Sequence, residues 1–363
     1  MNKIAIDGYL LCFSSNGIHR YLDSIISNIN KPDQIIYLFT PYKPIIKSQY
    51  TENIKIIKCG PRFFSKYLIW TQLILPYYLF RNRINVLWSP THRVPIVTLF
   101  SNIKNVITIH DLVSTFYPQT MKSLSLVLDI LFLRLCSLFK VHYIAVSNRT
   151  KDDFCKVYNV KYNTVNVVNL ASSFDKLLVN SFDINIKKKY ILCVGTIEPR
   201  KNHKNLLIAY SKLDQDIRDK YNLIIVGKNG WGKINLDLII LELNLKSDVK
   251  IYQEINDNQL AFLYKFAYLT VYPSFYEGCG LPILESNGFG TPTVVSDIEP
   301  MNSLCPSSSI VFNPFDADSI ARSIYLAITD VELYNRLKAN TFKEIKKYSW
   351  SKSANELYES LIN

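Results

Sequence analysis

The sequence predicts an α/β protein of two doubly wound domains, each a parallel sheet with helices on both faces. Its 363 residues exceed what one ordinary core supports and suit two domains of similar size. Short β-branched runs alternate with amphipathic stretches along the whole chain, as parallel sheets require. A polar segment at 171–189 separates two complete strand–helix series, and it marks the expected boundary between a domain at 1–172 and a domain at 173–347.

The strands are expected wherever a short β-branched run occurs. In the first half these runs are Lys3–Asp7, Gln34–Phe39, Ile54–Lys58, Val86–Ser89, Asn105–Ile109, Tyr143–Val146 and Val165–Val168. In the second half they are Tyr190–Val194, Asn222–Val226, Val249–Gln253, Leu269–Pro273, Pro292–Ser296 and Ser309–Phe312. Helical periodicity fills the gaps, for example at Asn202–Leu213, Asn256–Ala267 and Asp316–Ile328, with Asp257 and Asp316 as expected helix caps.

The charge of the chain is unevenly divided between its halves. Of 42 basic and 30 acidic residues, 20 and 8 lie in the first 172 positions, which leaves 22 of each in the remainder. The first half therefore carries the whole formal net charge of +12. Such asymmetry indicates an anionic partner that contacts only the first half.

Several classes of protein are disfavoured by the sequence. The seven cysteines are scattered and contain no C-x-x-C pair, which argues against a disulfide framework or a zinc site and suits the reducing cytoplasm. The N-terminus lacks the apolar core of a signal peptide. The longest charge-free stretch, Tyr67–Phe80, is too short to span a bilayer, and a second apolar segment, Leu124–Phe139, is interrupted by Asp129 and Arg134. We therefore expect a soluble or peripheral protein.

The segment 271–296, VYPSFYEGCGLPILESNGFGTPTVVS, is the most informative part of the second half. A strand leads into a glycine-rich loop, and a helix is expected from Leu281 to Phe289. The backbone amides of Gly280 and Leu281 at its start would then point towards a phosphate. The carboxylates of Glu277 and Glu285 can accept hydrogen bonds from the hydroxyl groups of a sugar and of a ribose. The alternative is a Gly/Pro turn with two solvated glutamates.

Upstream, YILCVGTIEPRKNHKNLL delivers two cations to the end of a buried strand. Arg200 and Lys201 at this edge can neutralise a diphosphate leaving group without a metal. The alternative is a solvated basic turn before a helix. Two strings that imitate a metal-binding D-x-D, at 214–216 and 316–318, are each expected at a helix start instead, and we expect no catalytic metal.

In the first half, the run VITIHDL delivers His110 to the end of a strand, although a lone histidine is more often a packed or surface residue. Gly17 precedes a helix and would let the backbone approach a phosphate. The G-x-G-x-x-G fingerprint is missing there, so an NAD-dependent sugar-modifying enzyme is poorly supported.

Five separated motifs together resemble glycosyltransferase family 4, the retaining nucleotide-sugar enzymes of the GT-B fold. The spaced pair within YEGCGLPILE is similar to the family's E-x7-E element. The runs VGTIEPRKN, IIVGKNGWG, AVSNRTKDDF and TIHDL match in the expected order. The terminal segment 348–363 resembles the family's closing helix, which commonly crosses back onto the first domain.

The resemblance implies a role for each candidate residue. Glu277 would hold the hydroxyl groups of the donor sugar, with the amides of Gly280 and Leu281 near sugar and diphosphate. Glu285 would bind the ribose, and the diphosphate would be bound by Arg200 and Lys201. His110 would lie beside the transferring sugar, and the loop at Gly17 would close over the phosphates. One departure is Thr196, because several family members carry an arginine at that position.

The resemblance also implies the two domains facing a central cleft, with the acceptor on 1–172 and the donor on 173–347. The expected reaction is hexosyl transfer from a nucleotide sugar, with GDP-mannose as first choice and no cofactor. The expected acceptor is a polyprenyl-diphosphate-linked oligosaccharide of bacterial surface polysaccharide (O-antigen or capsule). The apolar stretch Tyr67–Phe80, flanked by Arg62, Lys66, Arg81 and Arg83, would place the first domain on the anionic inner face of the cytoplasmic membrane.

Two alternatives remain. The first is a soluble member of the same family that uses a UDP-sugar and a free sugar or sugar phosphate as acceptor. The second is a non-catalytic nucleic-acid binder that uses the basic half and its aromatic residues. The aromatic residues are spread as core residues would be and no nucleic-acid motif is present, so we expect no nucleic acid as partner.

Overall fold

The structure is a computed structural model that describes residues 2–13, 17–60, 66–172, 188–230, 232 and 234–363. Its contacts divide the chain into two units. The first contains Met1–Phe116, Ser123–Ser173 and Ser349–Asn363, and the second contains Tyr117–Lys122 and Phe174–Tyr348. The expected boundary at 171–189 lies mostly outside the described residues.

A parallel sheet of seven strands forms the centre of the first unit. Its strands are β1 Ile4–Asp7, β2 Ile36–Thr40, β3 Ile54–Lys58, β4 Val86–Ser89, β5 Lys104–Ile109, β6 Val141–Ala145 and β7 Val165–Val167. They lie in the order β3-β2-β1-β4-β5-β6-β7. Buried aliphatic side chains fill the strands, as expected for a sheet covered on both faces.

The second unit repeats this plan with six parallel strands. They are β8 Lys189–Val194, β9 Tyr221–Val226, β10 Val249–Tyr252, β11 Leu269–Tyr272, β12 Thr293–Ser296 and β13 Ser309–Phe312. The order β10-β9-β8-β11-β12-β13 reverses direction between β8 and β11. Every strand that the sequence predicts is present, with ends that differ by a residue or two, and the prediction of two doubly wound α/β units is confirmed.

Helices connect the strands in both units. They are α1 Gly17–Asn28, α2 Tyr67–Ile69, α3 Leu75–Arg81, α4 Val113–Phe116, α5 Ser123–Ser137, α6 Asn148–Tyr158, α7 His203–Ser211, α8 Gln215–Arg218, α9 Leu236–Glu242, α10 Asp257–Phe266, α11 Leu281–Gly288, α12 Met301–Leu304, α13 Ala317–Thr329, α14 Val331–Ile345 and α15 Trp350–Ile362. A π-helical turn, Trp70–Ile74, joins α2 to α3. In the described part of the chain, no helix combines the length and the apolar character needed to cross a membrane.

The helix starts confirm one predicted cap and correct the other. Asp316 caps α13, because its side chain accepts a hydrogen bond from the Asp318 amide. Asp257 is instead the first residue of α10, and Asn256 is the cap. Asn256 and Gln259 each accept a hydrogen bond from the other's backbone amide, so the reciprocal capping box outweighs a carboxylate one position later.

The closing helix α15 belongs to the first unit, although it follows the second unit in sequence. The indole Nε1 of Trp350 donates to the Ser172 carbonyl at 2.8 Å. At the other end, Lys104 Nζ donates to the carbonyls of Ser360 and Leu361 at 3.1 and 3.2 Å. A cation at these last carbonyls is favoured by the helix dipole, so both ends of α15 are fixed to the first unit.

Two glycines allow β8 and β9 to end in close contact at the carboxyl edge of the second sheet. The Gly195 amide donates to the Val226 carbonyl at 2.9 Å. A Cβ atom on Gly227 would lie 1.9 Å from the Gly195 carbonyl oxygen, a backbone atom that has no room to move. The first glycine of the IIVGKNGWG run, Gly227, is therefore required by packing.

We expect Gly227→Ala to lower the free energy of unfolding by about 3 kcal/mol, because the added methyl group overpacks two backbones. The matched control is Gly17→Ala, since a Cβ there would meet nothing within 4 Å. Urea unfolding of both variants checks the difference. Equal midpoints for Gly227→Ala and the unsubstituted protein would contradict the close approach.

Candidate functional site

The reversal of strand order in the second unit opens a site at its carboxyl edge. The segments that follow β8 and β11 leave neighbouring strands there, with connections that run to opposite sides of the sheet. Ligands of doubly wound sheets bind at this kind of switch point. The sequence places its candidate cations after β8 and its candidate carboxylate after β11, and the topology brings these two segments together.

Asn202 fixes the two segments to each other. Its backbone adopts the left-handed conformation, with φ of 57°, just after the helical turn Pro199–Lys201. Its side-chain Nδ2 donates to the carbonyl of Pro273 at 2.9 Å and to that of Pro314 at 2.8 Å. The Phe275 amide donates to the Arg200 carbonyl at 2.8 Å. Asparagine suits this position because it tolerates a positive φ and supplies two donors.

Glu277 lies at the centre of a compact ionic cluster. Lys201 Nζ donates to its Oε1 at 2.5 Å, and Arg200 Nη1 donates to its Oε2 at 2.9 Å. The Ser274 hydroxyl also donates to Oε1, at 2.6 Å. The structure therefore brings together three of the residues singled out in the sequence, and it adds Ser274 to them.

The protonation state of Glu277 follows from these neighbours. Burial disfavours its charged form, but the charges of Lys201 and Arg200 more than offset that effect and lower its pKa to about 2. The carboxylate is therefore ionised at neutral pH. An ionised carboxylate accepts hydrogen bonds strongly, which is the property expected of a sugar-binding group.

Glu198 is a residue of the site that the sequence analysis did not single out. Its Oε1 accepts from Arg200 Nη2 at 2.5 Å, and Arg200 Nη1 also donates to the Tyr276 carbonyl at 2.7 Å. The guanidinium group is thus shared between two carboxylates and a carbonyl. The two cations and the two carboxylates of the cluster balance in charge. Glu198 lies two residues before Arg200, inside the motif already recognised.

Glu285 lies within α11 and only 2% of it is exposed. Its Oε2 accepts from the Tyr264 hydroxyl at 2.9 Å. Burial, followed by the charge of Glu285, raises the pKa of Tyr264 well above its ordinary value, so this hydroxyl keeps its proton and acts as donor. Tyr264 comes from α10 and was not predicted, because its 21-residue separation from Glu285 has no local pattern.

The start of α11 has the form that the sequence predicts. Gly280 precedes the helix with φ of 83°, and the first helical residue is Leu281. The left-handed backbone conformation favours glycine there, whereas the nearest atom to an added Cβ, Leu304 Cδ1 at 2.7 Å, is the end of a flexible side chain. The helix ends at Gly288, one residue before the predicted end.

The candidate residues His110 and Gly17 lie in the first unit. Strand β5 ends at Ile109, and the ring of His110 packs edge-on against Tyr21, with centroids 5.0 Å apart. His110 Nε2 lies 2.8 Å from the Pro90 carbonyl, which can only accept, so Nε2 carries a proton. Burial lowers the pKa of His110, which favours a neutral imidazole with its lone pair on Nδ1.

Gly17 is the first residue of α1, and a Cβ there would meet nothing within 4 Å. Packing therefore gives no reason for glycine at this position. The predicted loop over the phosphates includes residues 14–16, which lie outside the described residues.

The two D-x-D strings lie at helix starts, as expected. Asp214 precedes α8, and Asp316 and Asp318 pair with Arg322 and Lys212 respectively. Within the described residues, no group of three or more His, Cys, Asp or Glu side chains could hold a metal ion.

Two parallel doubly wound units, the second with a charge-balanced cluster at the switch point of its sheet, define the class of protein as a two-unit doubly wound α/β fold. Residues 176–344 match the family model "Glycosyl transferases group 1". This match lies in the second unit, which contains the ionic cluster.

Curated relatives match more than half of the chain. O-antigen chain mannosyltransferase B of Escherichia coli is 30% identical over 215 residues, 57% of this chain and 56% of the relative. O-antigen chain mannosyltransferase RfbU of Salmonella typhimurium is 31% identical over 232 residues, 63% of this chain and 60% of the relative. The matches thus span little more than half the length of these relatives.

Solved structures show the same fold over the whole chain. Sucrose-phosphate synthase from Thermosynechococcus elongatus superposes with a TM-score of 0.77 at 16% identity, covering 100% of this chain and 99% of the other. HepE from Anabaena, crystallised with UDP and glucose, superposes with a TM-score of 0.75 at 15% identity, and the match covers 100% of both chains. The predicted GT-B fold is confirmed.

The lowered pKa of Glu277 leads us to predict how the free energy of unfolding depends on pH. Because its pKa in the folded protein lies below the ordinary 4.5, the ionised group stabilises the fold above pH 4.5, and this contribution is lost as pH falls towards about 2. Glu277→Gln should therefore lower the free energy of unfolding at pH 7 by about 3 kcal/mol.

Urea unfolding at several pH values measures this effect. The difference in the free energy of unfolding between Glu277→Gln and the unsubstituted protein should become smaller as the solution is acidified below pH 4.5. Glu254→Gln, at an exposed glutamate of the same unit, is the matched control and should show no gap. A gap for Glu277→Gln that stays constant with pH would refute the ionic origin of the stabilisation.

Proposed function

We propose that the chain is a retaining, metal-independent hexosyltransferase that acts on a nucleotide sugar. The observation that carries this proposal is the cluster of Glu277, Arg200 and Lys201 at the switch point of a glycosyl transferases group 1 domain. The best candidate for the donor is GDP-mannose. It fits the mannosyltransferase relatives, and the acceptor would be a lipid-linked oligosaccharide of bacterial O-antigen or capsule synthesis.

The geometry supports a separate task for each end of the donor. Ionised Glu277 accepts hydrogen bonds from the sugar hydroxyls. The amides of Gly280 and Leu281 bind the diphosphate at the positive end of α11. Glu285, oriented by Tyr264, accepts from the ribose. Neutral His110 would bind beside the transferring sugar, and Gly17 would let the backbone approach the phosphates.

The two cations would not act equally on the diphosphate. Arg200 is 9% exposed and already bonded to Glu198, Glu277 and the Tyr276 carbonyl. Within the described residues, Lys201 Nζ donates to a single carboxylate oxygen, Oε1 of Glu277, and its four-carbon side chain is flexible. We therefore assign the direct phosphate contact to Lys201, which exchanges Glu277 for a phosphate oxygen when the donor binds. Arg200 keeps Glu277 in place.

Charge develops on the departing β-phosphate as the glycosidic bond of the donor breaks. A fixed cation and helix amides stabilise that charge, and removing one such donor typically slows turnover by about 10²–10³-fold. Because Thr196 replaces the arginine of several family members, little else in this loop can take over from Lys201.

The lipid-linked acceptor would bring the first unit to the anionic inner face of the cytoplasmic membrane. The predicted stretch Tyr67–Phe80 is helical, with Trp70 and Leu79 buried. Leu73, Tyr77 and Phe80 are exposed and lie at helical spacing, which supports an amphipathic surface.

A second candidate function has the same fold but a different donor and acceptor. Sucrose-phosphate synthase and UDP-bound HepE share the whole architecture, which favours a UDP-sugar donor with a free sugar or sugar-phosphate acceptor. The donor nucleotide and the acceptor distinguish the two candidates.

The deciding assay incubates the protein with a panel of GDP- and UDP-sugars and a polyprenyl-diphosphate-linked acceptor. We expect transfer from GDP-mannose in the presence of EDTA, and NMR should show the anomeric configuration of the donor retained in the product. Transfer only to free sugars would favour the second candidate, and an absolute Mn²⁺ requirement would contradict the proposed mechanism.

Lys201→Met should reduce turnover at saturating donor by about 10²–10³-fold, because it removes the phosphate cation. Lys212→Met is the matched control, since Lys212 is a half-exposed lysine of the same unit paired with Asp318. Near-normal turnover of Lys201→Met would show that another group carries the phosphate charge.

Tyr264→Phe should raise the donor KM about tenfold and leave kcat little changed, because it deprives the buried Glu285 of a hydrogen-bond donor. Discrimination against a 2′,3′-dideoxyribose donor should weaken in parallel. Tyr210→Phe removes a buried hydroxyl bonded to the Tyr221 carbonyl in the same unit, and it serves as control. If the two variants discriminate alike, Glu285 does not bind the ribose.

A further inference from the structure

The first sheet has a switch point of its own. Its strand order, β3-β2-β1-β4-β5-β6-β7, reverses direction between β1 and β4. Asp7 is the last residue of β1, and it lies beside the end of β4, because Ile6 pairs with Trp88 in the register of these two strands. Ligands of doubly wound sheets bind at the carboxyl ends of the strands beside such a reversal. Asp7 therefore lies at a position that suits a ligand contact.

The carboxyl group of Asp7 is buried and only half satisfied. Asp7 is 2% exposed, and its Oδ1 accepts from the Tyr9 amide at 3.0 Å. Within the described residues, no other hydrogen bond or ion pair reaches this side chain. Burial, which the bond from Tyr9 only partly offsets, raises the pKa of Asp7 from 3.8 to about 7. A buried carboxyl group without a charge partner costs folding free energy, and such groups are often found where a ligand binds.

Aromatic side chains lie around this carboxyl group. Burial first, and then the charges of Tyr42 and Asp7, raise the pKa of Tyr9 to about 12. Burial, followed by the charge of Asp7, also raises the pKa of Tyr67. Both hydroxyl groups are therefore close enough to sense Asp7, and both keep their protons. The ring centroid of Tyr9 lies 4.6 Å from that of Tyr67 and 4.8 Å from that of Phe13, a residue that is 40% exposed.

Four segments of the first unit bring these residues together. Asp7 ends β1, and Phe13 lies in the segment that follows it. Tyr42 follows β2, and its ring meets that of Phe13 edge to face, with centroids 6.3 Å apart. Tyr67 begins α2, and its hydroxyl oxygen lies 2.8 Å from Oγ1 of Thr91, which follows β4. We call the residues Asp7, Tyr9, Phe13 and Tyr67 the β1 subsite.

The β1 subsite is better suited to a hydroxyl group than to a phosphate. In the part of the chain that the structure describes, no lysine or arginine pairs with Asp7. The guanidinium carbon of Arg93 lies 5.9 Å from the ring centroid of Tyr67, but its Nε donates to Asp129 of α5 at 3.0 Å. A phosphate would therefore meet a carboxyl group with no cation bonded to it, whereas a hydroxyl group can donate to Oδ2 of Asp7.

We propose that the β1 subsite binds an uncharged sugar unit of the acceptor, with Asp7 Oδ2 accepting a hydrogen bond from one of its hydroxyl groups. The inference rests on the proposed function, because a transferase needs an acceptor as well as a donor. The face of an aromatic ring is electron-rich and attracts the weakly positive C–H groups of a sugar ring. Phe13 and Tyr9 thus supply the apolar contact, and Asp7 supplies the polar group that orients the sugar.

Ligand-observed NMR with the full chain at pH 8, where Asp7 is mostly ionised, tests the subsite. The probes are the methyl glycosides of mannose, glucose, galactose and N-acetylglucosamine, and a second set contains their 6-phosphates. We expect at least one neutral glycoside to bind, and its 6-phosphate to bind about tenfold more weakly or not at all. Binding of none of the neutral glycosides, or equal or tighter binding of the 6-phosphates, would overturn the proposal.

Asp7→Asn should weaken binding of that glycoside about tenfold or more, because an amide nitrogen that donates replaces the oxygen that accepts. Phe13→Ser should weaken binding as well, since it removes the exposed ring. The matched control is Asp23→Asn. Asp23 is a buried aspartate of the same unit, and its two oxygens already accept from the hydroxyl groups of Ser48 and Tyr50 at 2.9 and 2.8 Å. Equal affinities of Asp7→Asn and Asp23→Asn would contradict a contact between Asp7 and the sugar.

Urea unfolding at pH 8 separates an effect on binding from an effect on folding. Because the pKa of Asp7 is higher in the folded protein than its ordinary 3.8, ionisation of Asp7 lowers the free energy of unfolding as pH rises above 3.8. Asp7→Asn keeps an acceptor for the Tyr9 amide and removes this cost, so its unfolding midpoint should rise. A midpoint that falls would assign Asp7 to the stability of the fold and overturn the proposal.

Transfer assays separate this inference from the proposed function. With GDP-mannose as donor, Asp7→Asn should raise the acceptor KM about tenfold or more and leave the donor KM unchanged. This holds for a polyprenyl-diphosphate-linked acceptor or for a free sugar, whichever the unsubstituted protein uses, and an unchanged acceptor KM would refute the contact. Glycoside binding without any nucleotide-sugar binding, followed by calorimetry, refutes only the transferase, whereas nucleotide-sugar binding without glycoside binding refutes only the β1 subsite.

Discussion

The carboxylate of Glu277 holds the second unit's site together. A buried negative charge is tolerable only with charge partners at hydrogen-bond distance, and Arg200 and Lys201 supply them. These partners follow β8, whereas Glu277 follows β11, so the pairing fixes two loops that no local structure connects. Strand order makes the pairing possible, since β8 and β11 are neighbours. Glu198 and Ser274 then complete the coordination of the cluster, and Asn202 holds the two backbones in register.

The same arrangement explains why the charges of the cluster are balanced in the absence of a ligand. Cations and carboxylates balance, so the folded chain does not hold an uncompensated charge in a partly buried position. Under the proposed function, a diphosphate would compete with Glu277 for Lys201, and the freed carboxylate oxygen would become available to hydroxyl groups. Donor binding would then be an exchange of partners within an existing network, which limits the reorganisation that binding requires.

Regular structure and local motifs were predictable from the sequence because both depend on neighbouring residues. Each of the thirteen strands in the described part of the chain follows from a short β-branched run, and the glycine at 280 follows from the turn that starts α11. Features that depend on distant pairs were not predictable. Tyr264 meets Glu285 across 21 residues, and Arg93 meets Asp129 across 36. The prediction of Asp257 as a cap failed for a different reason, since the capping box depends on Asn256 and Gln259 together.

The Arg93–Asp129 pair has a consequence for how α5 is oriented about its own axis. Successive residues of an α-helix point about 100° apart, so a helix rich in leucine can pack against a sheet in several rotations of similar energy. Because a single carboxylate can reach a cation in only one of these rotations, its ion pair makes that rotation lower in energy than the others. The Arg93–Asp129 pair therefore fixes which side of α5 is buried. Without this pair, α5 could rotate about its axis, bury the leucines that are now exposed and present a different side to the outside.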